Sequence, residues 1–204
     1  MLRPVLRGLL DLIAPARCPG CDVRRDWGQE GFCEACAPLL EALPSGPSLY
    51  GYGGPLAEAI RALKYARRLD YLPVLGALMC EGARRHAGKV DAVVPVPMHP
   101  RRLRRRGFNA AELLAEPLAR ALAVPLSPTH LVRLRDTAVQ ASLGEAEREA
   151  NVRGAFEGRS VPARVLLVDD VRTTGATLRA ATGALYRGGA RQVRVLALAG
   201  VVDL

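Results

Sequence analysis

The feature that most constrains this chain is a pair of C-x2-C motifs, at Cys18 to Cys21 and at Cys33 to Cys36, with eleven residues between them. Each motif turns two thiolates to one side of a tight loop, so two such loops close a tetrahedron around a metal ion. The segment has few large apolar residues and needs the metal to fold. The spacing predicts a structural Zn2+ site, with ligands Cys18, Cys21, Cys33 and Cys36.

The spacing alone leaves three other roles for these cysteines open. Two disulfides are typical of an oxidising compartment, a redox C-x2-C needs one pair, and an iron–sulfur cluster also takes four thiolates. The fifth cysteine, Cys80, falls in a helical pattern and is predicted to be a buried apolar residue.

The length of 204 residues suits one domain with a small attachment. A stretch rich in Pro, Gly and Ser at 44–54 reads as a linker. We therefore predict a first part over 1–43, with an amphipathic helix and the zinc finger, and a main domain over 44–204. The apolar opening is interrupted by Asp11 and is too short to span a bilayer, so we expect a cytoplasmic protein without membrane insertion.

The formal net charge is +9, and arginine supplies most of the positive charge. This balance favours polyanionic partners, such as nucleic acid, phosphorylated metabolites or an anionic membrane, without choosing among them. The run 101–106 has three open roles: neutralising pyrophosphate, binding single-stranded DNA, or forming a solvated helix start. It has no interleaved aromatic residues, so it predicts contacts with phosphates rather than base stacking.

Strand-like and helix-like segments alternate along the main domain, which predicts an α/β fold with a parallel sheet covered on both faces. The polar stretch 135–153 is typical of a mobile loop or lid. Asn109 and Glu112 have the spacing of a capping box. The predicted strands are 48–52, 91–96, 131–134, 155–157, 165–168 and 193–198, and the predicted helices are 55–64, 72–86, 109–122 and 176–187.

The most specific stretch for function is VLLVDDVRTTGATL at 165–178, where a buried strand ends in two carboxylates and a Thr-rich loop opens a helix. Ligands of open α/β sheets bind at this edge. Thr hydroxyls, Gly175 and a helix N-terminus form a cradle for one phosphate, and carboxylates accept hydrogen bonds from ribose hydroxyls. The stretch predicts a site for a ribose 5-phosphate. It lacks the G-K-[ST] of a nucleoside triphosphate loop.

This run resembles the 5-phosphoribosyl-1-pyrophosphate (PRPP) signature of type I phosphoribosyltransferases. The whole chain resembles the ComF family, competence-associated proteins that join a four-cysteine zinc finger to such a domain. The resemblance also rests on Leu-Lys-Tyr at 63–65, on VVPVPMHPRRLRRRGFNAAELLA at 93–115, and on Gln140, Arg148, Asn151 and Phe156. Ala110 replaces the family's usual Gln, and Arg172 replaces an apolar or aromatic residue and is expected to add a phosphate contact.

The resemblance implies roles for residues along the main domain. Asp170 is expected to be a general base or the electrostatic partner of a cationic sugar, and Asp169 to bind ribose hydroxyls. Mg2+ would be held mainly by PRPP oxygens. The PRPP-binding run is Val171, Arg172, Thr173, Thr174, Gly175, Ala176 and Thr177; the pyrophosphate loop is Val96, Pro97, Met98 and His99, with Arg101; the flexible loop includes Gln140, Arg148 and Asn151.

Three functions follow from these features. The first is a ComF-like competence protein that binds PRPP and assists the uptake or handling of transforming single-stranded DNA. The second is a metabolic phosphoribosyltransferase with an unknown acceptor, and the third is a zinc-stapled adaptor that docks a competence helicase and uses PRPP only as a ligand. Whether PRPP is turned over stays open.

The rare lysines and histidines of the chain also support predictions. Lys64 is one of two lysines in the chain, which indicates either a specific ammonium contact, for instance to a phosphate, or an exposed position near a helix C-terminus. The three histidines, His86, His99 and His130, have no metal or catalytic spacing and are predicted to lie at the surface or in loops.

Overall fold

The computed structural model describes residues 16–26, 29–136 and 152–201. Its strands are β1 (Ser48–Gly51), β2 (Ala92–Pro95), β3 (Leu131–Arg133), β4 (Phe156–Gly158), β5 (Arg164–Arg172) and β6 (Gln192–Gly200). Four of them form a parallel sheet in the order β1-β6-β5-β2, and β3 pairs with β4 in an antiparallel ribbon. The predicted α/β class with a parallel sheet is confirmed.

The helices are α1 (Gly54–Ala66), α2 (Leu72–Cys80), α3 (Ala83–His86), α4 (Pro100–Arg106), α5 (Ala110–Leu122) and α6 (Ala176–Arg187). Three 3-10 turns cover Ala37–Leu39, Leu69–Tyr71 and Pro128–His130. A proline stands in the first turn of α1, α2 and α4, where its missing N–H is not needed. No helix among the described residues combines the length and apolar composition of a membrane span.

The central strands bury both faces because their side chains alternate between two cores. Leu166 and Val168 of β5 point to the core that α1, α2 and α5 cover. Val165 and Leu167 point to the opposite core, which α6 and the β3–β4 ribbon cover. This two-fold alternation is why the β5 segment reads as a continuous apolar run.

Long-range packing corrects three predictions. The helix expected over 72–86 is divided into α2 and α3, and at the division Gly82 packs so closely on β6 that a Cβ there would lie 2.7 Å from Leu196. His86 is buried rather than exposed, and burial followed by nearby Arg194 lowers its pKa to about 4. Cys80 is only partly buried at the end of α2.

The cysteine-bearing segment packs against α1 at both ends of that helix. A Cβ on Gly20 would lie 2.5 Å from Pro55, in the first turn of α1. Beyond the other end of α1, one oxygen of Asp22 accepts hydrogen bonds from Arg68 Nη1 and Tyr71 Oη, each at 2.7 Å. The segment therefore contacts the chain near both ends of α1.

Candidate functional site

A cavity of about 220 Å3 opens at the carboxyl ends of β2 and β5. The loop after β2 forms one wall, arginines of α4 and β3 form another, and Asp169, Asp170 and Thr177 lie across from them. Two larger cavities, of about 510 and 320 Å3, border α6, but no carboxylate lines either of them. Only the smaller cavity of these three brings acidic, basic and hydroxyl groups together.

The two aspartates are consecutive in β5, so their side chains leave the strand toward opposite faces. Asp170 is buried and faces α1, where its Oδ1 lies 2.7 Å from Lys64 Nζ. Asp169 is half-buried, and its Oδ1 accepts a hydrogen bond of 2.9 Å from the Asp170 N–H. Burial and then the Asp170 charge raise the pKa of Asp169 to about 7, against the opposing effect of Lys64.

Lys64 forms an ion pair with Asp170 across a sequence separation of 106 residues. Burial opposes the charge of Lys64, but Asp170, followed by Asp169 and Tyr65, together outweigh burial and raise the pKa of Lys64, which stays an ammonium. Of the two interpretations of Lys64, the specific ammonium contact is confirmed and the exposed position is wrong. In this structure its partner is a carboxylate rather than a phosphate.

The loop after β2 places Val96, Pro97 and Met98 in the cavity wall, as the resemblance implied. His99 lies at the N-cap of α4, where its Nδ1 accepts from the Arg101 N–H at 3.3 Å. Neither His99 nor the Arg101 side chain is among the cavity-lining groups. Arg102 lines the cavity and donates to Asp136 at 2.8 Å.

The predicted capping box at α5 is wrong. Asn109 is the N-cap residue, but its side chain makes no capping bond. Its Nδ2 instead donates to the carbonyl of Val96 at 3.0 Å, which ties the start of α5 to the cavity wall. Ala110, at the position where the family has Gln, is buried in the core and brings no polar group to the cavity.

The Thr-rich loop divides between two cavities. Thr177 faces the aspartates, whereas Thr174 and Gly175 border the larger cavity beside α6. Gly175 begins α6 with a φ of 75°, a left-handed conformation that costs a residue with a Cβ. The Ala176 N–H donates to Thr174 Oγ1 at 3.4 Å, so Thr174 caps the first turn of α6.

Val171, Arg172 and Thr173 lead from β5 into this loop and are each partly exposed. The Arg172 side chain turns toward the other edge of the sheet. Its Nε donates to Ser48 Oγ at 3.2 Å and its Nη2 to the Val201 carbonyl at 3.0 Å. In this arrangement Arg172 fastens the end of β5 to β1 rather than reaching toward the aspartates.

The predicted flexible-loop residues Gln140, Arg148 and Asn151 lie outside the described residues. The two ends of that loop are held together in two ways. Arg135 donates to the Arg153 carbonyl, and β3, just before the loop, pairs with β4, just after it. Arg133 of β3 also lines the cavity, although nothing in the sequence singled it out. Strand pairing across a long loop brings it there.

The four clustered cysteines have the geometry of a metal site. The Sγ atoms of Cys18, Cys21, Cys33 and Cys36 lie within 4.8 Å of one another. A tetrahedron with bonds of about 2.3 Å has edges of about 3.8 Å, so a four-thiolate metal ion fits this spacing. Cys21 and Cys33 have sulfurs 3.6 Å apart, well beyond a disulfide bond.

The surroundings of Cys18 favour the thiolate form of its side chain. Burial alone would raise its pKa, but backbone N–H groups, first that of Cys33 at 3.3 Å, lower the pKa of Cys18 to about 6. The same burial and the neighbouring sulfurs raise the pKa of Cys36. Four thiolates so close together repel one another, so the cluster is stable in its deprotonated form only when a bound cation neutralises the charge.

No protein-family model matches this chain. Among curated proteins, the DNA utilization protein YhgH of Salmonella typhi is 36% identical over 223 residues, which cover 92% of this chain and 98% of the relative. Competence protein F of Haemophilus influenzae is 30% identical over 220 residues, covering 95% and 94%. Competence protein ComFC of Streptococcus pneumoniae is 32% identical over 153 residues, covering 74% and 66%.

Solved phosphoribosyltransferases are more distant. The hypoxanthine enzyme of Staphylococcus aureus matches with a TM-score of 0.38 and 14% identity, covering 66% of this chain and 68% of that one. The adenine enzyme of Leishmania tarentolae matches with a TM-score of 0.34 and 14% identity, covering 66% and 73%.

Proposed function

Since the chain belongs to the ComF family of competence and DNA utilization proteins, we propose that it binds PRPP, or another ribose 5-phosphate, and assists the handling of transforming single-stranded DNA. The ligand site is the cavity at the carboxyl ends of β2 and β5. The observation that carries this proposal is the meeting of Asp169, Asp170, Lys64 and Thr177 at one sheet edge.

Each group in the cavity suits one part of such a ligand. The Asp169 carboxyl accepts from ribose hydroxyls, and the Thr177 hydroxyl, in the first turn of α6, donates to the 5-phosphate. The arginines of α4 face the opposite wall and neutralise the pyrophosphate. Mg2+ supplies further neutralisation of the pyrophosphate, and it is held mainly by ligand oxygens.

Asp170 acts by its charge rather than as a base in this proposal. Its ion pair with Lys64 holds the Asp170 side chain in place beside the sugar. A fixed anion stabilises positive charge that develops at the anomeric carbon when the bond to pyrophosphate breaks. Asp169, whose pKa is raised to about 7, is the better proton acceptor for an acceptor molecule that loses a proton as it attacks.

The cysteine cluster is proposed to hold Zn2+ as a cross-link rather than as a catalyst, because four protein ligands leave no open position. We retain the division into residues 1–43 with the metal and 44–204 with the ligand site. The five cysteines form no disulfide, which suits a reducing cytoplasm. A competence helicase stays a predicted partner for the cysteine segment.

Calorimetric titration with PRPP and Mg2+ tests the ligand site. We expect the wild type to bind PRPP and the double variant D169N/D170N to lose binding. The matched control is Asp91→Asn, because Asp91 pairs with Arg164 at the opposite end of β5. Absence of binding by the wild type, or equal loss in the control, overturns the proposal. Release of pyrophosphate on addition of an acceptor distinguishes a transferase from a binding module.

A further inference from the structure

A tyrosine ring is exposed beside the cavity, against the arginine-rich helix α4. Tyr65 is 72% exposed, whereas Tyr50 and Tyr71 are buried at 6% and 3%. The Arg106 guanidinium lies 5.5 Å from the centre of the Tyr65 ring. Since Arg106 also lines the cavity, the ring lies near its mouth. We call Tyr65 with Arg101, Arg104, Arg105 and Arg106 the Tyr65–arginine surface.

Contacts of the neighbouring residues position the Tyr65 ring beside α4. The chain leaves α1 at Arg67, which has a left-handed backbone with a φ of 55°. From there the Arg67 Nη2 donates to the Arg105 carbonyl at 2.9 Å. Lys64, the residue before Tyr65, is fixed by its ion pair with Asp170. The position of Tyr65 is therefore set by contacts on both sides of it in the chain.

The positive charge of α4 is largely uncompensated. The helix contains five arginines and no acidic residue. Within the described residues only Arg102 of these five pairs with a carboxylate, that of Asp136. Arg101, Arg104 and Arg105 are exposed and share one face of the helix, because residues three and four apart are neighbours there. This face carries three arginines, and the Cβ atoms of residues spaced in this way lie about 5–6 Å apart.

We propose that the Tyr65–arginine surface binds single-stranded DNA, with the Tyr65 ring stacked on a base and the α4 arginines on consecutive phosphates. An exposed aromatic ring can stack on a base of a single strand, because those bases are free to leave their neighbours. The bases of duplex DNA are stacked on one another and reach such a ring only when the duplex is opened. The inference rests on the proposed function, because it assigns a surface to the strand that a competence protein handles. The run 101–106 is a candidate for single-stranded DNA from the sequence alone, but Tyr65 lies 35 positions before Pro100, the first residue of α4, and only the fold brings its ring to that run.

Fluorescence anisotropy with a labelled oligothymidylate of about 16 nucleotides, the upper site size of a single-strand module, tests the surface. Tyr65→Ala should raise the dissociation constant about 10-fold, within the range found for loss of one stacked base. Tyr65→Phe keeps the ring and should bind as the wild type does. Tyr186→Ala is the matched control, an exposed tyrosine of α6 away from α4, and should also bind normally.

The arginines are tested through salt. The triple variant R101Q/R104Q/R105Q should lower the slope of log affinity against log salt by about 2, since each phosphate contact to a single strand contributes about 0.7. Equal affinity for a duplex of the same length, an unchanged dissociation constant in Tyr65→Ala, or an equal loss in Tyr186→Ala overturns the inference. Circular dichroism of each variant verifies that it folds.

A parallel PRPP titration separates the two proposals. If the wild type binds PRPP but not the oligonucleotide, the proposal for the Tyr65–arginine surface is wrong and the proposal for the ligand site stands. A wild type that binds the oligonucleotide through Tyr65 but not PRPP removes the ligand site and leaves this surface.

Discussion

The cysteine segment and the ligand cavity are built in opposite ways. The four thiols come from one stretch of sequence, 18–36, and their spacing alone indicates how they meet. The cavity takes its groups from four separate stretches of the chain, from Lys64 to Thr177, and the fold brings them together. We therefore expect the cysteine site to depend on a bound metal ion, and the cavity to depend on the helices and strands that carry its side chains.

Helix α1 joins the two regions. Its N-terminal turn touches Gly20, the turn beyond its C-terminus is bonded to Asp22, and it carries Lys64 to Asp170. If the comparison holds, damage to the cysteine segment should reach the cavity through α1, and damage to the cavity should leave metal binding intact.

The largest expected effect comes from removing a metal ligand. Cys18→Ser should abolish stoichiometric zinc binding and unfold the segment, because the binding free energy of such a metal is folding free energy, on the order of 10 kcal/mol. Zinc content by atomic absorption and the melting temperature are the measurements. Cys80→Ser is the matched control, since Cys80 lies outside the cluster. Zinc at one per chain in Cys18→Ser would show that the cluster is not the metal site.

A smaller effect is expected at the ion pair beneath the cavity. Lys64→Met leaves the buried Asp170 carboxylate without its partner, and breaking a pair of this kind costs about 3 kcal/mol. Urea unfolding should show this loss, and D170N in the same background should recover part of it. Zinc content should stay at the wild-type value. A Lys64→Met protein as stable as the wild type would mean that the pair is loose in solution.

The pKa of Asp169 predicts a pH effect of the opposite sign to that of most aspartates. Its pKa is near the ordinary value when the chain is unfolded and about 7 when it is folded, so the folded state binds this proton more tightly. The contribution of Asp169 to stability is therefore largest below pH 4 and is lost between about pH 4 and pH 7.

Melting temperatures across that interval measure the effect. The wild type should lose more stability than Asp169→Asn as the pH rises from 4 to 7, because asparagine does not titrate. Parallel curves for the two proteins would place the Asp169 pKa near its ordinary value and remove it as a proton acceptor in the proposed chemistry.

The same contrast explains how far the sequence could be interpreted. Helix α6 was predicted with the bounds it has in the structure, and its apolar spacing and the Gly before it are local signals. At the break, Gly82 packs against Leu196, and the Asn109 side chain donates to the Val96 carbonyl instead of making a capping bond. Both contacts involve residues distant in sequence, which no local rule includes.

The site residues also differ in whether a local sequence pattern indicates them. The aspartates and the Thr-rich loop stood out because they follow one strand directly, whereas Arg133 carried no signal. Lys64 was noticed only because lysine is rare here, and its partner lies 106 residues away. The sequence could place a ligand at the end of β5, and the resemblance pointed to the loop at 96–98, but neither pointed to Arg133.

The smallest expected effect tests the link between the two regions. Asp22 accepts from Arg68 and Tyr71, and the Tyr71 and then the Arg68 hydrogen bonds lower the pKa of Asp22. Because the carboxylate is half exposed, solvent screens the pair, and Asp22→Asn should cost below about 1 kcal/mol. This contribution is present above pH 4 and is lost as the pH falls through the lowered pKa, so the two proteins should converge in stability at acid pH.

The matched control is Asp70→Asn, which removes the other carboxylate on Arg68 without touching the cysteine segment. If α1 transmits between the regions, Asp22→Asn should weaken PRPP binding a few-fold with full zinc content, and Asp70→Asn should weaken it less. Equal PRPP affinity in both variants and the wild type would mean that the metal segment and the cavity share a helix without sharing free energy, and that α1 is positioned by the sheet alone.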